Sequence, residues 1–132
     1  MQTEFRKIRA GRYKLVYVAT ERLETENFMR LVQKVPVELV AVDEAHCISQ
    51  WGQDFRPSYL KILDFINALP KRPVVAAFTA TATGEVRHDV ARILELDNPL
   101  TVITGFDRPN LRFEVCRPKN KKDRLIQLVR SH

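Results

Sequence analysis

Residues Asp43 and Glu44 are adjacent carboxylates at the end of an apolar run, Leu39-Val40-Ala41-Val42. The run reads as a strand buried in a sheet. In an open parallel sheet, ligands bind beyond the carboxyl ends of the strands, so a strand finishing in two acids presents both at the ligand edge. Neighbouring residues leave a strand in different directions. One carboxylate can then face a magnesium ion while the other faces an attacking water. Phosphoryl transfer needs those two jobs done: charge neutralisation by metal and orientation of the nucleophile. An exposed Asp-Glu pair at a strand end is common and weak as a signal. The string Asp43-Glu44-Ala45-His46 after an apolar strand is far less common by chance.

Directly after the acids, Trp51, Phe55 and Tyr59 flank Arg56 within nine residues. Aromatic faces stack on unpaired bases, each contact contributing about 1–3 kcal/mol. Arg56 adds phosphate contact and cation–π capacity. The competing reading buries Trp51 and Phe55 in the core, where large aromatics usually lie. Against it, Trp51-Gly52-Gln53-Asp54 is too polar a neighbourhood for a buried strand. Further on, Thr79-Ala80-Thr81-Ala82-Thr83 reads as a strand exit, with Thr83 as a helix cap. His88 falls on the polar face of its helix, and the basic run 117–124 reads as a solvated loop.

These residues need elements to hold them. Residues 15–19 and 37–42 read as strands, separated by a helix carrying Phe28, Leu31, Val32 and Val35. Pro57 opens a second helix, where proline is tolerated at the first position. Its apolar stripe is Tyr59, Ile62, Leu63 and Ile66. Residues 74–78 and 100–103 read as two more strands, around a helix with Val86, Val90, Ile93 and Leu94 on one face. Continuous apolar strands alternating with helices predict an α/β fold with a parallel sheet flanked by helices. After Gly105 the pattern changes. Residues 106–110 form a linker-like turn, residues 112–116 alternate as a strand would, and Asn120 caps a last helix carrying Leu125, Leu128 and Val129.

Composition narrows the class. A net charge of +6 favours polyanionic partners, of which nucleic acid is the commonest. The 45% hydrophobic content suffices for a core, and no apolar run is long enough to cross a bilayer. No apolar stretch follows the N-terminus as a signal peptide would. Cys47 and Cys116 are far apart and have no zinc-ligand spacing, so both read as reduced thiols of a cytoplasmic protein.

Asp43-Glu44-Ala45-His46 resembles the DEAH form of the Walker B motif in superfamily 2 helicases. The loop from Cys47 to Tyr59 resembles the aromatic-rich loop of RecQ helicases, and Phe78-Thr79-Ala80-Thr81-Ala82-Thr83 resembles helicase motif III. Phe106-Asp107-Arg108-Pro109-Asn110-Leu111 resembles the RecQ segment that leads into the second RecA-like domain. Tyr17-Val18-Ala19-Thr20-Glu21-Arg22-Leu23 is similar to the earlier DNA-contacting motif. The resemblance covers nearly the whole chain in family order. It implies a partial RecA-like sheet of the P-loop NTPase type, with residues 1–104 from the first motor domain. Residues 105–132 would be the linker and the start of the second. It implies ATP and Mg2+ as cofactors, and single-stranded or partly unwound DNA as partner. Asp43 would hold Mg2+ through water, Glu44 would polarise the hydrolytic water, and His46 would link the nucleotide to motif III. Thr79 and Thr81 would carry that signal towards DNA. Gln50, Trp51, Gln53, Asp54, Phe55, Arg56 and Tyr59, with Arg22, Arg108 and Asn110, would contact DNA or couple to it. The parent would act in the cytoplasm, at the bacterial nucleoid, or in the nucleus of a eukaryote.

Two positions depart from the family pattern. Gln53 stands where histidine is usual, which removes a charge from the coupling loop, and Thr20 stands where proline is usual. None of Gly11, Gly52, Gly84 and Gly105 is followed by lysine, so no Walker A loop can be built from them. The chain is accordingly expected to begin inside the first motor domain, without its P-loop strand, and to hydrolyse no ATP alone. An uncovered sheet surface is expected to promote self-association. The rival readings are a non-catalytic nucleic-acid-binding module and an RNA helicase or translocase. The loop after Ser49 speaks against the last two.

Overall fold

A computed structural model describes residues 2–52, 54–105, 108–112 and 114–131. Its centre is a parallel pair of strands, β1 (Leu39–Val42) and β2 (Val74–Ala77), with Leu39 opposite Val74 and Val42 opposite Ala77. Side chains alternate across a strand. Val40, Val42, Val75 and Ala77 accordingly pack on the core, while Leu39, Ala41 and Val74 are exposed.

Helices α2 (Glu26–Val32), α3 (Pro57–Asn67) and α4 (Gly84–Ile93) supply most of the buried side chains. In α2 these are Phe28, Leu31 and Val32. Helix α3 starts on Pro57 and buries Ile62, Phe65 and Ile66. Helix α4 is capped by Thr83, whose hydroxyl accepts the Val86 N–H at 3.3 Å, and it buries Val86 and Val90. Beyond its C-terminus, Arg72 donates to the carbonyls of Leu94 (2.8 Å) and Glu95 (3.1 Å), groups a helix end otherwise leaves without partners. Helix α1 (Gln2–Arg9) is not anticipated by the sequence reading. Phe5 and Ile8, three apart, turn one face onto the core. The Phe5 ring lies 6.4 Å from Phe28, which stacks on Phe65 at 5.9 Å.

Three expected strands are corrected. Among the described residues, runs 15–19, 100–103 and 112–116 join no ladder. Strand propensity expresses packing against neighbours rather than an intrinsic backbone preference. In the first run only Val18 packs on the core, and Tyr17 is 91% exposed. Leu100 is 92% exposed.

The chain divides into two compact units, Met1–Leu100 and Thr101–His132. The second holds helix α5 (Lys121–Ser131), capped by Asn120, whose side-chain oxygen accepts the Lys122 N–H at 3.0 Å. Leu125, Leu128 and Val129 on α5 are exposed.

The fully buried Ile66 contrasts with the half-exposed Leu128. Ile66→Ala is expected to cost about 2–5 kcal/mol, read as a lower urea midpoint at unchanged m. Leu128→Ala is expected to change the same midpoint by no more than about 0.5 kcal/mol in equivalent stability.

Candidate nucleotide and nucleic-acid site

The strand ladder does not stop at the strand ends. The Phe78 N–H donates to the Val42 carbonyl at 2.8 Å, and the Ala45 N–H donates to the Phe78 carbonyl at 2.9 Å. Asp43 and Glu44 are held between these two bonds. Glu44 is left-handed there, with φ 47° and ψ 42°, a conformation that costs a side-chain-bearing residue roughly 1–2 kcal/mol. A sharp turn, rather than strand alternation, therefore separates the two acids.

Both acids face solvent. Asp43 Oδ1 accepts the Glu44 N–H at 2.9 Å, and the Asp43 carbonyl accepts the Tyr59 hydroxyl at 3.3 Å. His46 is largely buried and stands between an acid and a hydroxyl. Its Nδ1 is 3.2 Å from Glu44 Oε2 and 3.0 Å from Thr79 Oγ1. Thr79 Oγ1 also accepts the Thr81 N–H at 3.3 Å. Glu44, His46, Thr79 and Thr81 form one continuous polar path.

The loop after the acids begins with a 3-10 turn, Ala45–Ile48, in which Ala45, Cys47 and Ile48 are buried. The Arg56 N–H donates to the Cys47 carbonyl at 2.9 Å and closes the loop. Gly52 backs onto the first turn so closely that a Cβ there would lie 2.3 Å from the His46 carbonyl oxygen. Trp51 is 70% exposed and Gln50 is exposed, which removes the core reading for Trp51. Phe55 and Tyr59 are half-buried. Arg56 Nε lies 3.1 Å from Asp54, and the guanidinium holds that carboxyl below the usual range. Burial, and then the Asp54 charge, pushes the Cys47 thiol up, so this cysteine is a poor nucleophile.

Sequence reasoning missed one pair. Ser49 is fully buried; its hydroxyl donates to Asp89 Oδ2 at 2.9 Å and accepts the Trp51 N–H at 3.2 Å. Arg92 holds the other Asp89 oxygen at 2.7 Å. The Arg92 and then the Ser49 hydrogen bonds keep the Asp89 carboxyl below its usual range. Only the Asp89-Arg92 spacing within one helix was available as a local signal.

Arg22 is exposed in the 3-10 turn Thr20–Arg22. A 3.0 Å hydrogen bond between the Thr20 and Ser58 hydroxyls ties that turn to the start of α3. Arg108 and Asn110 are exposed in the second unit, where the Leu111 N–H donates to the Arg108 carbonyl at 2.8 Å. Gln53 lies outside the described residues.

Residues 1–90 match the family model described as DEAD/DEAH box helicase. The chain belongs to the DEAD/DEAH-box helicases. It is 50% identical over 119 residues to the ATP-dependent DNA helicase RecQ of Bacillus subtilis (strain 168), covering 90% of this chain and 20% of that one. It is 41% identical over 123 residues to the RecQ helicase of Pasteurella multocida (strain Pm70), covering 93% of this chain and 19% of the other. The mouse bifunctional 3'-5' exonuclease/ATP-dependent helicase WRN matches at 41% over 112 residues, 83% of this chain and 8% of its own. The family assignment is therefore RecQ-type, and the α/β unit is part of a RecA-like helicase core. The chain spans about a fifth of the length of the RecQ relatives it matches.

Gly52 offers a test of how tightly the loop is seated on the helicase box. Gly52→Ala is expected to lose about 1–3 kcal/mol, because backbone must move to admit the methyl group. Gly84→Ala meets only the Arg87 side chain at 3.6 Å and should be neutral or stabilising in the same denaturation series.

Proposed function

We propose that this chain is the part of an ATP-dependent DNA helicase that links ATP hydrolysis to contact with single-stranded or partly unwound DNA. The observation that carries the proposal is the Glu44–His46–Thr79 path, with 3.2 and 3.0 Å separations around one imidazole nitrogen. Glu44 accepts a proton from, and orients, the attacking water. Its backbone is left-handed, and its carboxylate lies 3.2 Å from His46 Nδ1. His46 senses Glu44 on one side and Thr79 on the other, so a change in the carboxylate's partners is felt at Thr79 and Thr81.

Asp43 fits a magnesium site of the nucleotide-bound kind. Among the described residues no group of three or more His, Cys, Asp or Glu side chains can hold a metal alone. Mg2+ typically keeps several waters and takes one or two carboxylates plus substrate phosphates, which a lone exposed Asp43 suits. When bound, the ion would neutralise charge on the phosphate oxygens.

Trp51 stacks on an unpaired base and Arg56 meets the backbone phosphates. Gln50, Asp54, Phe55 and Tyr59 shape that loop, and Gln53 belongs to it by sequence. Arg22, Arg108 and Asn110 provide further DNA contacts. The setting is cytoplasmic, or nuclear in a eukaryote. Among the described residues, no helix is long and apolar enough to cross a membrane.

Trp51 is the chain's one tryptophan, so its emission reports this contact directly. Titration with single-stranded oligo-dT is expected to quench it in a salt-sensitive manner. Arg56→Ala should weaken the apparent affinity by about two- to fivefold. Emission that stays flat across the titration would sink the DNA-contact reading. The 132 residues contain no Gly-Lys pair for a Walker A loop, and the chain by itself is expected to release no phosphate from ATP. DNA-stimulated release that Glu44→Gln abolishes would refute that.

The exposed Leu39, Ala41 and Val74 on one sheet face support self-association of the chain. Light scattering should give an apparent mass that rises with concentration, and a constant monomer mass would overturn it.

A further inference from the structure

Ser49 and Asp89 are not assigned any role by the hydrolytic path or by the DNA-facing side chains. Forty positions apart, they meet where the loop leaves its 3-10 turn and α4 passes beneath it. Ser49 is completely buried, which makes its two hydrogen bonds costly to lose: an unpartnered buried hydroxyl carries its full desolvation penalty. One of these bonds receives the Trp51 backbone N–H at 3.2 Å; the other goes to the Asp89 carboxylate at 2.9 Å. A hydrogen bond to an ionised acceptor is roughly twice as strong as a neutral one. Arg92 at 2.7 Å keeps Asp89 ionised and oriented. The Trp51 backbone is thus connected through one buried hydroxyl to a carboxylate on α4, the helix that starts just after Thr83.

We propose that Ser49 and Asp89 are a positioning pair that sets the orientation of Trp51. Neither residue touches DNA or nucleotide in this scheme. The pair fixes the first residues of the loop against α4, so the segment after Thr79 and Thr81 and the indole that meets DNA share one mechanical support. The proposal rests on the reading of Trp51 as a DNA-contacting residue, but its test needs no DNA.

Time-resolved fluorescence anisotropy of Trp51 in the unliganded chain reads the pair directly. Ser49→Ala and Asp89→Ala are each expected to raise the amplitude of fast depolarisation about twofold, as a loop residue freed from its anchor does. The double variant should go no further, because both changes remove one coupled unit. Asp89→Asn keeps one acceptor oxygen but loses the charge and the second oxygen that Arg92 holds, and should fall between the original amplitude and that of Asp89→Ala. Ile62→Ala, a core change on α3, should lower the denaturation midpoint while leaving Trp51 depolarisation unchanged. An unchanged amplitude in Asp89→Ala, additive effects in the double variant, or an equal rise in Ile62→Ala would each overturn the proposal. Loss of fold in Asp89→Ala, followed by circular dichroism, would also overturn it, because the pair is assigned to the loop and not to the core. Should Ser49→Ala fail to fold, the Asp89 variants decide alone. If oligo-dT leaves Trp51 emission unchanged while the anisotropy results hold, the DNA reading fails and the pair stands.

Discussion

The hydrogen bond from the Ala45 N–H to the Phe78 carbonyl is the constraint on which the rest of the site depends. Two parallel strands end level with one another, Val42 beside Ala77, and this bond carries their pairing past the acids. The chain between Val42 and Ala45 must therefore make a tight excursion and return. Glu44 meets that demand by going left-handed, a conformation that a free chain end would not hold. The same bond draws the two strand exits together, which is why His46, from one exit, lies within hydrogen-bond reach of Thr79, from the other.

The loop that follows is built from two zones of opposite character. Its first turn is sealed, with Ala45, Cys47 and Ile48 buried beside the largely buried His46, and the Ser49 that follows is buried as well. Of its later residues, Gln50, Trp51, Asp54 and Arg56 are exposed while Phe55 is half-buried, and Trp51 stands out in solvent despite its size. Large aromatics usually seek burial, so an exposed indole above a sealed base is a surface the fold does not itself use. Arg56 pairs with Asp54 rather than pointing freely outward, and contact with phosphate would have to compete with that exposed ion pair, a weak one in water.

Local chemistry was legible where it is local. Pro57 at the start of α3, Thr83 before α4 and Asn120 before α5 cap or open helices through residues a few positions away, and each was readable from the sequence. The apolar run into Asp43-Glu44 likewise announced β1. Errors arose where an outcome depended on distant partners. Residues 15–19 and 100–103 have strand composition, but a strand needs an edge to pair with, and no edge can be read from its own residues. Helix α1 was hidden by a polar composition. Its Phe5 and Ile8 matter only because Phe28 and Phe65 stand opposite. Ser49 and Asp89 are ordinary residues until the fold sets them 2.9 Å apart.

The close approach of Gly52 to the His46 carbonyl has an engineering consequence. The base of the loop tolerates almost no added volume, whereas the Gln50 and Trp51 side chains project into open solvent. A designer could exchange the outer side chains for others, altering the surface that the loop presents, without rebuilding the Asp43-Glu44 turn. The interchangeable tip and the close-packed footing sit on consecutive residues, Trp51 and Gly52.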